Sequence, residues 1–418
     1  MRAIDKFFNN EIEVGKVTIK MFDFLFVIAL SCLGLIYRFA FYNILSGDYS
    51  TAFADWMREC HEAGGFAYLG ITPGVSDAST FDYNCMFQYI IVILHYIGGG
   101  ISDIYLIKTV SVIFDFVCAV AVMRITFHVT GGNVNKAIMS YAAIMFLPTV
   151  ALNSAAWGQN DSIYTAFILL SLYHAMNEHD NRTFIYMAIA YSFKQQAIFF
   201  MPFIIIMWLK NKIKIRYIFW IPVIYILAMV PSAIAGRPWG DLLGIYGKQV
   251  TMFSRLSMNY PSIYTIITTD IEKYTRRGLI LGGTVCTLMI FGSIAYYVYK
   301  KDFKITSRYM LTLAIFTMEV CTFCLPVMHE RYGYIPEVMA VIYGMLNYKK
   351  MPICAALQVI TMITYTRYLF GSTVTLLWPL TMAMLTIILL LGYDLYKQMI
   401  PETVIKVTAN TGKSAGKK

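Results

Sequence analysis

Charged residues are scarce in this chain, and their scarcity excludes an ordinary soluble domain. Asp, Glu, Lys and Arg together make up 14% of the 418 residues, whereas a soluble domain carries about 25%. Hydrophobic residues make up 58% of the chain. Apolar runs of about 20 residues, each long enough to cross a bilayer, recur from one end to the other. The composition predicts an all-α polytopic membrane protein.

Several familiar signatures are also missing. The segment His329-Glu330-Arg331 lacks the second histidine of a zinc-protease helix motif, and Cys321-x-x-Cys324 has no second ligand pair. No cleavable signal peptide precedes the first apolar run. We find no internal repeat of the kind that many transporters show. Cys60 and Cys85 share one predicted loop, and a disulfide between them in an oxidising compartment stays open.

The net charge of +10 indicates membrane orientation rather than binding of nucleic acid. Basic residues cluster in short loops between apolar runs, as on the cytoplasmic side of membrane proteins. The clusters are Lys210, Lys212, Lys214 and Arg216, then Lys300, Lys301, Lys304 and Arg308, then Lys349 and Lys350, and finally the tail. No nucleic-acid partner is predicted.

The apolar runs predict about twelve crossings with both ends of the chain inside. Four basic residues before the first run place the N-terminus inside, so the long loops 46–84 and 236–277 fall on the outer face. We expect residues 1–277 to form a catalytic module that includes both loops. Residues 278–396 form the C-terminal helices with the His-Glu-Arg segment, and residues 397–418 form a basic cytoplasmic tail.

One motif does not fit this topology. The same counting places Trp157-Gly158-Gln159-Asn160-Asp161 towards the inner side, away from Asp48. Either a helix between residues 86 and 209 is re-entrant or broken, or the motif reaches a hydrated cavity from within the bundle. Irregular backbone is tolerated at that depth where it is buried in protein or lines water.

Asp48 and Lys194 are polar residues at or within apolar runs, and each has two interpretations. Asp48 is either an interfacial acid that caps a helix or a general base whose surroundings favour proton uptake. Lys194 lies too deep to reach water easily, so it needs an anionic partner. That partner is either a protein carboxylate, Asp161 or Asp115, or the phosphate of a substrate.

Other ionisable residues leave further alternatives open. Arg331 offers a planar fork suited to phosphate, and Glu330 is able to orient His329 or Arg331. The alternative is that His329-Glu330-Arg331 is an ordinary polar cap of a helix at the membrane interface. Three intramembrane ionisable residues, Lys108, Asp115 and Glu319, are equally compatible with a proton or ion path, which leaves a transporter open as the alternative.

The polar motifs, taken in order, resemble those of the GT-C superfamily of membrane glycosyltransferases that use polyprenyl-phosphate sugars. Two branches are similar, namely the endoplasmic-reticulum glucosyltransferases that extend lipid-linked oligosaccharide and bacterial proteins related to the second GPI mannosyltransferase. The matching segments are Gly47-Asp48-Tyr49, Trp56-Met57, Asp82-Tyr83-Asn84, Trp157 to Asp161, Phe193-Lys194-Gln195 and His329-Glu330-Arg331. Asn84-Cys85 stands where the first branch has Pro-Pro.

The resemblance implies a GT-C-type helical bundle, an active site on its outer face and Asp48 as the catalytic base. We take the donor-phosphate contacts to be Lys194, His329 and Arg331. Supporting or substrate-binding roles fall to Asp82, Tyr83, Trp157, Gln159, Asp161, Gln195 and Glu330. With that cationic cluster available no metal or other cofactor is predicted.

The expected activity is inverting transfer of a mannose- or glucose-type hexose from a polyprenyl-phosphate donor to an acceptor hydroxyl. The acceptor would be a lipid-linked or cell-envelope glycan. The expected location is a multi-pass protein in the plasma membrane with an extracytoplasmic active site, or a lumenal site in a eukaryote. The alternatives are a transporter or flippase of lipid-linked sugar and a non-catalytic scaffold of envelope assembly. The oligomeric state is not predicted.

Overall fold

The computed structural model describes residues 2–14, 17–71, 83–252, 255–266 and 273–400. Among the predicted site residues, Asp82 lies outside these ranges, as does the tail from residue 401 onward. The chain forms two compact units, each built from separate segments. Unit 1 comprises Met1–Ile198, Arg216–Ser254 and Glu337–Val374, and unit 2 comprises Phe199–Ile215, Arg255–Pro336 and Thr375–Lys418.

Most of the described residues are helical. The α-helices are α1 Arg2–Phe8, α2 Met21–Phe39, α3 Ala54–Ala63, α4 Cys85–Ile97, α5 Asp103–Val129, α6 Val134–Phe146, α7 Pro148–Ala151, α8 Asp161–Met176, α9 Asp180–Phe193, α10 Met201–Leu209, α11 Trp220–Ile234, α12 Trp239–Met252, α13 Lys273–Lys300, α14 Ser307–Cys324, α15 Tyr334–Leu346, α16 Met351–Leu369 and α17 Leu377–Gln398. The strands are β1 Glu11–Val14, β2 Val17–Lys20, β3 Ser257–Met258 and β4 Met328–His329. β1 pairs antiparallel with β2, and β3 pairs parallel with β4.

Apolar helices of membrane-spanning length confirm the helical membrane class, but the prediction of about twelve crossings is wrong. Five helices among the described residues are long and apolar enough to cross a bilayer, and a bent pair makes a sixth. The five are Met21–Phe39, Asp103–Val129, Ile215–Ile234, Arg277–Lys300 and Leu377–Gln398. The apolar segment at 183–209 illustrates the cause. Its helix stops at Phe193, Lys194 is extended, and a 3₁₀ turn over Gln195–Phe200 precedes α10.

Aromatic packing in unit 1 holds the start of the first outer loop against α4. The chain passes from a π-helical turn, Tyr49–Phe53, directly into α3, which ends at Gly64 in the left-handed conformation with φ 79°. The rings of Phe53, Trp56 and Tyr83 lie within 6.2 Å of one another, centre to centre. This cluster fixes the direction in which the chain leaves Asp48.

The described parts of the two long loops that belong to unit 1 lie at the same end of that unit. Tyr68 and Leu69 of the first loop share a buried cluster with Ile245 and Tyr246 of the second loop. A Cβ atom on Gly70 would lie 2.1 Å from the carbonyl oxygen of Ala235, so glycine permits the close approach of the two backbones. The two loops therefore pack together in unit 1, and their predicted place on the outer face stays a prediction.

In unit 2, two predicted basic loops also come together. Lys210 Nζ donates a hydrogen bond to the carbonyl oxygen of Lys301 over 2.6 Å and lies 5.1 Å from the centre of the Phe303 ring. The sequence predicted both basic loops on the cytoplasmic face, and that placement stays a prediction.

Candidate functional site

A broken helix brings the Trp157 motif to Asp48. Helix α6 is followed after Leu147 by a second helical segment, Pro148–Trp157, which is bent by 45° from the first. A π-helical stretch, Leu152–Trp157, ends at Gly158 in the left-handed region with φ 77°. The first of the two explanations offered for the misplaced motif, a broken or re-entrant helix, is therefore the one that the structure contains.

The carboxylate of Asp48 accepts hydrogen bonds from three side chains. Trp157 Nε1 donates to Oδ2 over 2.9 Å, and Gln159 Nε2 donates to the same oxygen. The Tyr368 hydroxyl donates to Oδ1. Ser46 reinforces the arrangement, since its hydroxyl donates to the Trp157 carbonyl oxygen over 2.7 Å. Asp48 itself is half-buried, which leaves room for a substrate hydroxyl to approach it.

Tyr368 was not among the site residues predicted from the sequence, although it contacts Asp48. Its ring stacks on Trp157 with a centroid distance of 4.6 Å and an interplanar angle of 16°. Trp157 is fully buried, whereas Tyr368 is 38% exposed. Gly47 makes room for this contact, because a Cβ atom there would lie 3.2 Å from the Tyr368 hydroxyl oxygen. A tyrosine near the end of an apolar helix is usual at a membrane interface, so its sequence position did not mark it.

Gln159 connects Asp48 to Tyr83. The Gln159 amide nitrogen donates to Asp48, and its oxygen Oε1 accepts from the Tyr83 hydroxyl over 3.1 Å. These two contacts determine the orientation of the amide. Lys194 Nζ lies 5.4 Å from the centre of the Tyr83 ring, a distance at which a cation and an aromatic face attract each other. The motifs at residues 48, 83, 159 and 194 thus form one connected network in unit 1.

Lys194 is paired with Asp161. Its Nζ lies 2.5 Å from Asp161 Oδ1 and 3.2 Å from Asn160 Oδ1, and the side chains of Lys194 and Asp161 are 3% and 0% exposed. The second Asp161 oxygen accepts from Asn153 Nδ2 over 2.9 Å. Of the two partners considered for Lys194, the protein carboxylate is present. The predicted phosphate contact stays a prediction. Gln195, next to Lys194, is half-buried and begins the 3₁₀ turn.

The His-Glu-Arg segment lies in unit 2 and is joined there to the second outer loop. β4 pairs with β3, and the Glu330 amide donates to the Met258 carbonyl oxygen over 3.0 Å. Val327, just before the strand, has φ 63°, which is unusual for a β-branched residue. His329 and Glu330 are buried, and the His329 ring lies 5.0 Å from that of Tyr332. The predicted site residues therefore fall into two sets, one in each unit.

Two of the three intramembrane residues that favoured an ion path have structural partners. Asp115 pairs with Arg38 over 2.7 Å and accepts from the Ser154 hydroxyl over 2.5 Å. Lys108 Nζ donates to the carbonyl oxygens of Phe41, Tyr42 and Ile44, which lie just past the end of α2. Both residues tie helices together in unit 1.

No group of three or more His, Cys, Asp or Glu side chains in the described part of the chain is arranged to hold a metal ion. Cys60 and Cys85 are free thiols.

No protein-family model matches the chain, and no curated protein matches it.

Proposed function

We propose that this protein is an inverting glycosyltransferase that moves a hexose from a polyprenyl-phosphate donor to an acceptor hydroxyl. The observation that carries the proposal is the Asp48 carboxylate, held by Trp157, Gln159 and Tyr368 next to an exposed aromatic ring. The order of the sequence motifs, similar to that of GT-C enzymes, agrees with it. The site would face the extracytoplasmic or lumenal side of a GT-C-type bundle.

In the proposed reaction Asp48 is the general base. It takes the proton of the acceptor hydroxyl while that oxygen attacks the anomeric carbon of the donor. The bond between the anomeric carbon and the phosphate oxygen breaks in the same displacement, so the configuration inverts. The polyprenyl phosphate leaves with the electron pair of that bond, and no metal or cofactor enters the scheme.

The surroundings of Asp48 suit this role. The three donors hold the carboxylate in one orientation, and a base held in orientation gains more than a freely rotating one. Tyr368 donates to Oδ1 and is 38% exposed, so in this scheme the acceptor reaches Oδ1 from the Tyr368 side. We infer that the acceptor hydroxyl displaces or joins the Tyr368 hydroxyl there.

The direct test uses purified full-length protein, a synthetic short-chain polyprenyl-phosphate mannose or glucose, and a panel of saccharide acceptors. Product is separated by chromatography, and its anomeric configuration is read by NMR. Transfer with inversion is expected with at least one donor–acceptor pair. Comparison of lipid-linked glycans by mass spectrometry, with and without the protein in cells, selects the pair to test. Unchanged lipid-linked and envelope glycans in cells that lack the protein would contradict the proposal.

One observation favours transport of a lipid-linked sugar as a second candidate. Glu319 on α14 is fully buried, and among the described residues its Oε1 has no hydrogen-bond partner while Oε2 lies 3.5 Å from the Tyr260 hydroxyl. A buried acid within a helical membrane protein is a common element of ion coupling. A transporter would keep its flux in Asp48→Asn and lose ion coupling in Glu319→Gln. A transferase would lose its activity in Asp48→Asn and would show no ion coupling for Glu319→Gln to remove.

A further inference from the structure

Three hydrogen-bond donors are buried together beside the first turns of α4 in unit 1. They come from Arg237 in the second outer loop, Gln88 on α4 and Tyr68 in the first outer loop. The three residues are 3%, 0% and 1% exposed. None of them belongs to the Asp48 network described above.

These donors exceed the acceptors available to them. Arg237 Nη1 donates to Gln88 Oε1 over 2.9 Å. Among the described residues, however, Arg237 Nε, Gln88 Nε2 and the Tyr68 hydroxyl have no hydrogen-bond partner within 3.5 Å. The Gln88 side chain approaches the Tyr68 hydroxyl as a longer hydrogen-bond partner, and the charge of Arg237 acts on the same hydroxyl. Buried polar groups in native proteins are nearly all paired, so donors this poorly paired at one place call for a further acceptor.

The charge at this place calls for an anion. Within the part of the chain that the structure describes, Arg237 forms no ion pair, because the nearby Asp241 is paired with Lys248 over 3.2 Å. Burial lowers the pKa of Arg237, although Asp241, Cys85, Tyr68 and Tyr89 oppose the shift. Removing a guanidinium from water without a counter-ion is costly. Glu59 and Cys60 also act electrostatically on Tyr68. Burial raises the pKa of the Cys60 thiol to about 11, so this thiol is neutral at pH 7 and supplies no negative charge to Arg237.

We propose that Arg237, Gln88 and Tyr68 bind a phosphate-type oxyanion. The planar guanidinium supplies charge and a fork of donors, and the amide and the phenol supply neutral donors that complete the shell. The oxyanion is either the phosphate of a lipid or free inorganic phosphate, since both present the same acceptor oxygens. The site binds without any transfer reaction, so it goes beyond the proposed function.

The test measures thermal stability of the purified full-length protein in phosphate-free detergent buffer. Inorganic phosphate and a short-chain isoprenyl monophosphate are titrated separately. A ligand that binds the folded state raises the unfolding temperature with its concentration. We expect this rise in the wild type and a response at least tenfold weaker in Arg237→Met. That variant should fold, because a methionine of similar volume relieves an uncompensated buried charge.

Arg58→Met is the matched control. Arg58 lies on the same end of unit 1, but its side chain is 57% exposed and is paired with Asp55 over 2.6 Å. The control loses the same charge and should keep the wild-type response. Gln88→Met, which removes a neutral donor, should weaken the response less than Arg237→Met. It replaces Arg237→Met as the test variant if Arg237→Met does not fold.

The outcomes separate clearly. A response to the isoprenyl phosphate alone supports a lipid source, and a response to inorganic phosphate supports a free-phosphate site. Equal responses in the wild type and Arg237→Met, or no response of the wild type to either compound, overturn the inference. Asp48→Asn should bind as the wild type does. If phosphate binds but no sugar is transferred, the proposed reaction is refuted and the phosphate site is not.

Discussion

The indole Nε1 of Trp157 donates a hydrogen bond to Asp48 Oδ2 over 2.9 Å, although the two residues are 109 positions apart in the chain. The contact exists because the helix that carries Trp157 breaks and bends by 45°. It joins two motifs that simple counting of crossings had placed on opposite sides of the membrane. The same contact places Asp48 within the hydrogen-bonded network of the candidate site.

Asp48→Asn should reduce sugar transfer by about 10²–10⁴-fold, because it removes the proton acceptor while preserving size and most hydrogen bonds. The loss should fall on turnover rather than on donor affinity. Asp55→Asn is the control, since Asp55 is paired with Arg58 on the same helix, α3. If Asp48→Asn retains more than about a tenth of wild-type turnover, Asp48 is not the base, and Asp82 becomes the next candidate.

Tyr368→Phe should lower turnover by about 10- to 100-fold, because a hydrogen bond to a charged group contributes about 1.5–3 kcal/mol. The effect should vanish in an Asp48→Asn background, since both residues act through one contact. Tyr348→Phe, at a tyrosine that is 78% exposed in the same unit, should change nothing. Additive losses in the double variant would mean that Tyr368 does not act through Asp48.

Lys194→Met should lower the free energy of unfolding by about 3–5 kcal/mol, because it leaves the Asp161 carboxylate buried without its cation. Lys194→Met combined with Asp161→Asn should recover most of that loss in thermal or denaturant unfolding. Donor affinity of the stable double variant then tests the predicted phosphate contact. A wild-type affinity in that variant would restrict Lys194 to its structural role.

Labelling of single cysteines should report Glu62→Cys and Lys248→Cys on one membrane face and Lys214→Cys and Lys304→Cys on the other. The first pair lies in the two long loops, and the second pair lies in the predicted cytoplasmic clusters. A membrane-impermeant maleimide is applied to intact and then to permeabilised cells, with the unaltered protein as background. Labelling of Glu62→Cys and Lys248→Cys from different sides would refute the topology.

Cys60 should resist alkylation at pH 8. Burial raises the pKa of its thiol to about 11, so the reactive thiolate is about 100-fold less abundant than for a thiol of ordinary pKa. The rate should therefore rise with pH up to about 11. Glu62→Cys, on the exposed side of the same helix, should react rapidly. Fast labelling of Cys60, or a disulfide with Cys85 on a non-reducing gel, would contradict the packing of α3.

Much of the fold class could be read along the chain, but the number of crossings could not. Hydropathy adds up residue by residue, so it detects apolar segments reliably. It does not detect a helix that stops inside such a segment. Lys194, where one such helix stops, is paired with the distant Asp161, and the bend after Leu147 falls at Pro148, which hydropathy does not weigh.

Part of the candidate site was also predictable. Asp48, Tyr83, Trp157 and Gln159 were named from their motifs, and the structure connects them. Their polarity within apolar runs marked them, since such residues are costly without a partner or a task. Tyr368 was missed, because a tyrosine at a helix end carries no such signal. Its role depends on stacking against Trp157.

The amino-acid sequence established that this is a helical membrane protein with acidic and basic motifs in a particular order, because local composition is sufficient for that. Only the three-dimensional packing established which of these motifs are in contact. Lys194 takes Asp161 rather than Asp115, and Arg237 lies buried against Gln88. These pairings join distant segments, and their energy depends on burial and geometry that no local pattern contains.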